Sequence, residues 1–208
     1  MSIFDKIAAA VTPPESAEDR AEARRCAADL ARGDDWLATA LDHHRRIEAL
    51  FEQARAGRDA AARTSGMKQL GRMLTGHSIA EESVLYPMLA QSHSSHAAHA
   101  YQEQATAKIE MHKLEMLEPM SQEWLDKLEH IRGAVQHHMY EEEGTWFPEL
   151  RKAVPDGHDA MLTRRFREEF DRYMGGADSA AMERPLQMAA EMDDSGARQS
   201  ENTGPLDY

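Results

Sequence analysis

The sequence predicts an all-α protein: an up-down-up-down four-helix bundle with additional short N- and C-terminal helices. Three observations predict it. Ala, Leu, Met, Glu and Arg are frequent while Val and Ile are scarce, a balance that favours helix over sheet. Four long stretches carry apolar residues at steps of three and four, the helical period. The links between them are short, as antiparallel neighbours in a bundle require.

Taken in order, Ile3 to Val11 reads as a short helix closed by Pro13 and Pro14. Ala21 to Ala31 reads as a second, broken by Gly33, with Asp34 as the cap of the next helix. Residues 1–34 thus form an N-terminal helical extension. The first long helix runs from Asp35 to about Ala56, with Leu37, Leu41, His44, Ile47 and Phe51 on one stripe. "AGRD" is a turn. The second runs from about Ala61 to Leu89 on Met67, Leu70, Leu74, His77, Glu81 and Leu85, through three weakening glycines, Gly66, Gly71 and Gly76. "QSHSSH" reads as a connection, which makes His93, His96 and His99 exposed histidines.

The third long helix spans about Ala98 to Glu118, with Ala105, Ile109, His112 and Met116 as its inner face and Pro119 as its stop. The fourth starts at a capping Ser121 and carries Leu128, Ile131, Val135, His138 and Glu142 inward. Gly144 and Pro148 should loosen or end it. The bundle therefore occupies 35–152. A short helix over about Gly157 to Met174 fills 153–175, and 176–208 reads as a flexible tail rich in Gly, Ser, Asp and Glu.

Composition narrows the function. The chain has 208 residues, 41% of them hydrophobic, enough for one core. Lys and Arg number 24 against 37 Asp and Glu, a formal charge of -13. That charge opposes nucleic acid and anionic membrane as partners. No window approaches a membrane-spanning apolar run, and the start lacks the pattern of a secretory signal. Cys26 is the single cysteine, which fits a reducing compartment. These features together point to the cytoplasm.

Two stretches carry the chemistry, "HSIAEESVLYP" from His77 and "HMYEEEGTWFP" from His138. The same interval separates His77 from His138, Glu81 from Glu142, Glu82 from Glu143, Pro87 from Pro148 and Leu89 from Leu150. In each copy a glutamate follows a histidine by four residues, one helical turn on the same face. Both residues stand where apolar groups should be. A buried carboxylate without a partner is costly, and a cation removes that cost. His44 and His112 sit on stripes at the same depth. Four histidines and two glutamates make a credible set for two first-row metal ions. His43 and His137 precede two of these residues and point about 100° away, so they flank the site. Glu82, Glu143 and Glu48 read as orienting groups or surface pairs. Tyr86 and Tyr140 read as core packing with a redox or proton-transfer role as the alternative, and Met67, Met73, Met88, Met111 and Met116 as inner gap-fillers.

These motifs, with "LDHHRRIEALF" and "IEMHKLEML", resemble the hemerythrin-like cation-binding domains over about Asp35 to Leu150. The resemblance implies a four-helix bundle around a non-heme diiron centre. It implies metal ligands at His44, His77, Glu81, His112, His138 and Glu142. Two iron ions are the implied cofactor, with manganese or a mixed pair as alternatives. Oxygen, peroxide or nitric oxide is the implied small partner, in an oxidative-stress or redox- and iron-sensing role. The alternative is a metal-binding or storage module without turnover. A protein partner or homo-oligomer is compatible with either. One departure stands out: Lys108 occupies the position, one turn before His112, where oxygen-carrying hemerythrins have another histidine. That argues against simple reversible oxygen carriage. The residues single out no catalytic proton donor.

Overall fold

The structure, a computed structural model, describes residues 15–155 and 157–176. The described residues form helices and connections, with no strand among them. The expected helix at Ile3 to Val11 and the expected tail lie outside the described residues.

Helix α1 is Ala17–Asp29, started by a reciprocal cap in which the Ser16 hydroxyl accepts from the Asp19 N–H and the Asp19 carboxylate accepts from the Ser16 N–H. Gly33 follows in the left-handed region at φ 64°, a turn that side chains resist. Helix α2 is Trp36–Ala56, and its cap is Asp35, one residue later than expected. Helix α3 is Ala60–Ala80, capped by Asp59. A widened π-helical turn at Glu81–Leu85 joins it to α4, Tyr86–Ala90. Helix α5 is Ser94–Glu115, so the second half of the expected "QSHSSH" connection is helix. Helix α6, Gln122–Glu141, is capped by Ser121 and continues through a second π turn, Glu142–Trp146, into α7, Phe147–Ala153. Helix α8 is Asp159–Gly176.

The bundle consists of α2, α3 with α4, α5, and α6 with α7. Its core centres on Trp36, Phe51, Trp124, Phe147 and Phe166, all essentially inaccessible. Gly66 lets α3 close on α2, because a Cβ there would lie 2.8 Å from the Ala54 Cα. The two terminal helices back the two π turns. Helix α8 packs on α3, α2 and the first π turn, and α1 packs on α2, α6 and the second. Arg151 binds both Asp35 and Asp159, and the Trp36 indole N–H donates to Asp159 at 3.2 Å. These contacts seat α8 against the bundle.

One face was misread. The buried positions of α5 are Ala97, Ala100, Gln104, Glu110, Met111 and Leu114. Ile109 is 57% exposed and Met116 76% exposed, so the expected inner face of this helix points to solvent. A register error of one residue turns a helix by about 100°. Helix α5 is rich in Ala and polar residues, so its apolar pattern does not mark a face strongly.

Candidate metal centre

The site is built where the repeated motif interrupts regular helix. His77 lies in the last turn of α3, and Glu81 opens the first π turn. His138 and Glu142 repeat this at the end of α6. The N–H of Tyr86 bonds to the Glu81 carbonyl, and that of Phe147 to the Glu142 carbonyl, each five residues back. The cause is the proline one position further on. Pro87 and Pro148 supply no N–H, and their rings clash with the carbonyl four residues earlier. One extra residue in the turn relieves the clash without stopping the helix. Pro148 therefore widens a helix it was expected to loosen or end, and Pro87 does the same in its copy of the motif. The wide turn also brings the residue after it, Tyr86 or Phe147, round towards the face of the glutamate.

His44, His77, Glu81 and Glu142 converge in the interior, and each offers a donor atom within 4.8 Å of the others. All four are buried. The His44 Nε2 stands 3.2 Å from the Glu142 Oε2, and the His77 Nε2 stands 3.2 Å from the Glu81 Oε2. His138 borders the group, its Nε2 3.5 Å from the Glu142 Oε1. His112 does not join them. It is 76% exposed on the outer side of α5, with Glu115 at 3.7 Å as its acidic neighbour. At the depth expected of it, α5 presents Gln104, whose Nε2 lies 2.6 Å from both the Glu81 Oε2 and the Tyr86 hydroxyl.

Five contributors were undervalued or carried no signal in the sequence. The Tyr86 hydroxyl sits 2.8 Å from the Glu142 Oε1, 3.2 Å from the Glu81 Oε2 and 3.1 Å from the His138 Nε2. Its signal was its place after the π turn, but only a reader expecting that turn would use it. The repeat puts Phe147 in the equivalent position, where it stacks on His44 at 5.8 Å. Gln104 had no signal beyond polarity. Glu103 accepts from the His138 Nδ1 at 2.8 Å. Arg24, on α1, donates to Glu143 at 2.9 Å and to Glu48 at 2.7 Å. The same Glu143 oxygen accepts from the His44 Nδ1 at 2.7 Å, which aims the His44 Nε2 inward. Lys108 is elsewhere, paired with Glu82 at 2.6 Å.

The flanking histidines divide. His137 is half exposed and pairs with Glu15 at 3.0 Å. His43 is buried against Phe166 and Phe170, with ring centroids 5.6 and 4.0 Å away. Burial and the adjacent positive His44 push His43 down to about 4, so it is neutral.

The titration of the cluster is split by its geometry. Burial alone would lower His44, but the two carboxylates beside it, Glu142 and Glu143, push it up to about 9. Burial, then the charge of His44, pushes His77 well below its ordinary value. Burial, then the negative Glu142, raises Glu81 well above the carboxylate range. Burial would raise Glu142 too, but His138 and His44 hold it down. Protons thus act as the counter-charge where a cation would otherwise serve.

Hydrogen bonding leaves donors over. The His44 Nε2, both nitrogens of His77, the Glu81 Oε1 and the Glu142 Oε2 are buried with no hydrogen-bond partner. Such orphans are costly and require an explanation. Once deprotonated, two imidazoles and two carboxylates at one point fit a metal site, and the set is compatible with a diiron or similar dimetal centre.

Arg24 tests the outer support. Arg24→Ala leaves Glu143, 1% exposed, with its negative charge poorly compensated. The expected cost is about 2–3 kcal/mol of stability, a fall of roughly 5–10 °C in Tm for a chain of this size. Thermal denaturation in chelator measures it, and an unchanged Tm would show that Glu143 does not depend on α1.

The hemerythrin HHE cation-binding domain family matches residues 37–150. Among curated proteins, a DNA nickase of Nostoc sp. is 23% identical over 142 residues, which is 66% of this chain and 40% of that protein. The chain therefore spans well under half the length of that relative. No solved structure matches.

Proposed function

The chain belongs to the hemerythrin HHE cation-binding family, and from that premise we propose that it is a metal-binding module. It holds a pair of non-heme iron ions in the bundle interior and reports or stores them without catalytic turnover. The observation that carries this reading is the set of orphaned donors on His44, His77, Glu81 and Glu142. His138 completes the set from the edge, oriented by Glu103. His112 is left out of the proposed ligand set. Mixed nitrogen and oxygen donors suit iron, manganese or a mixed pair.

When bound, an iron pair supplies one-electron redox chemistry and an open position for oxygen, peroxide or nitric oxide. A second reading, reaction with such a molecule in an oxidative-stress response, is favoured by Tyr86. Its buried hydroxyl is a proton donor placed between both carboxylates and His138. The terminal helices suit the sensing role, because α1 reaches His44 through Arg24 and Glu143. DNA cleavage is not carried over from the Nostoc protein, since the formal charge of -13 opposes contact with a polyanion. We place the protein in a reducing compartment, on its single cysteine. Among the described residues no helix is long and apolar enough to cross a membrane.

The test is a crystal structure after iron-replete growth, with anomalous maps at the iron edge, and Mössbauer spectra of the same protein. Two iron peaks among the named residues and a coupled pair are expected. Empty density or a lone zinc would defeat the assignment. Multiple-turnover loss of peroxide, abolished by His77→Ala, would overturn the non-catalytic reading in favour of the second.

A further inference from the structure

A further histidine–glutamate pair with the same one-turn spacing lies on α5, at His99 and Glu103. It belongs to neither copy of the repeated motif. Helix α6 brings Glu141 beside it. The His99 Nε2 is 3.3 Å from the Glu103 Oε1 and 3.4 Å from the Glu141 Oε2. Metal ligands of this kind bind at about 2.0–2.2 Å, which places neighbours in a tetrahedral shell about 3.3 Å apart. All three donor atoms lie within 4.8 Å of one another. The Glu141 Oε2 is shielded from solvent and has no hydrogen-bond partner. Trp146 holds the neighbouring rings, with His99 at 6.0 Å and His138 at 5.5 Å, both edge to face.

We propose that His99, Glu103 and Glu141 form a second, peripheral site for a first-row divalent cation, joined to the interior cluster through Glu103 and His138. One imidazole with two carboxylates selects such a cation over calcium, which prefers an all-oxygen shell. His99 is about half exposed, while Glu103 and Glu141 are only 23% and 31% exposed, so an ion from solvent can reach the site. Glu103 faces both ways. Its Oε1 belongs to the peripheral set and its Oε2 accepts from the His138 Nδ1 at 2.8 Å. The His138 Nε2 then touches the Tyr86 hydroxyl and Glu142. A cation on Glu103 weakens its hold on His138 and frees that ring to move. The peripheral site is thereby placed to load the interior. The loading role rests on the interior centre proposed above; the peripheral site does not.

The probe is cobalt(II) alone, followed by calorimetry and visible absorption on the full chain. The variant is His99→Ala with Glu141→Gln, two positions outside the core. It is expected to bind one fewer cobalt ion per chain than the wild type and to fill the interior roughly tenfold more slowly. Equal stoichiometry in the two proteins would overturn the peripheral site. One fewer ion with an unchanged interior rate would overturn the loading role. His77→Ala with Glu81→Gln, shown folded by circular dichroism, should keep the peripheral ion; loss of that ion would also overturn the site. A wild type that binds a single cobalt ion, lost in His99→Ala with Glu141→Gln, would uphold the peripheral site and refute the interior centre.

Discussion

Removing metal from iron-loaded protein is expected to lower Tm by roughly 8–16 °C. A ligand that binds only the folded state stabilises it by about 4 kcal/mol when present at a thousand times its Kd. For a chain of this length each kcal/mol moves Tm by roughly 2–4 °C. The source of the gain is local. His44, His77, Glu81 and Glu142 are buried with unsatisfied donors, and a cation satisfies them together. Differential scanning calorimetry with and without excess chelator makes the measurement. Coincident melting curves for iron-loaded and stripped protein would mean that these side chains do not hold metal.

The second large effect is a contrast between the two carboxylates. Glu81→Gln is expected to leave the metal-free protein within about 1 kcal/mol of wild type, because burial and the charge of Glu142 push the Glu81 carboxyl towards its neutral form, whose shape glutamine matches. Glu142→Gln is expected to cost the metal-free protein about 3 kcal/mol. Its charge faces His44 at 3.2 Å, and removal leaves a buried imidazolium with Glu143 as its remaining anionic partner. Both variants should lose most of the stabilisation by iron, since each removes a charged donor. Denaturant titrations of the wild type and both variants, in chelator and in iron, give the values needed. Equal losses in the metal-free proteins would show that the two carboxyls share their charge evenly, against the asymmetry described above. The same asymmetry implies that metal uptake releases protons, chiefly from His44 and Glu81, and a weakly buffered indicator dye would detect them.

Much of the centre was legible in the sequence. Helices α2 and α6 carry strong apolar stripes, which placed His44, His138 and Glu142 on inward faces, while on the weaker stripe of α3 the repeated motif placed His77 and Glu81. The repeated His–Glu spacing needed only one helical turn to be understood. His112 shows the limit. Its helix has few large apolar residues, so a stripe drawn through Ile109 and Met116 looked as good as the true one through Gln104, Met111 and Leu114. The prolines were visible, but their effect was not. A proline inside a helix is compatible with a stop, a kink or a widened turn, and packing by α8 and α1 behind the two π turns accompanies the last of these.

By itself, then, the sequence determined the helical class, the long amphipathic elements and the paired histidine–glutamate spacing, because each depends on residues within a turn or two of one another. Only the tertiary structure decided which face of α5 turns inward, that Tyr86 stands among the carboxylates, and that Arg24 reaches Glu143 from 119 residues away. Those outcomes depend on how whole helices rotate and pack against each other. No local spacing encodes that rotation when the apolar contrast between faces is weak.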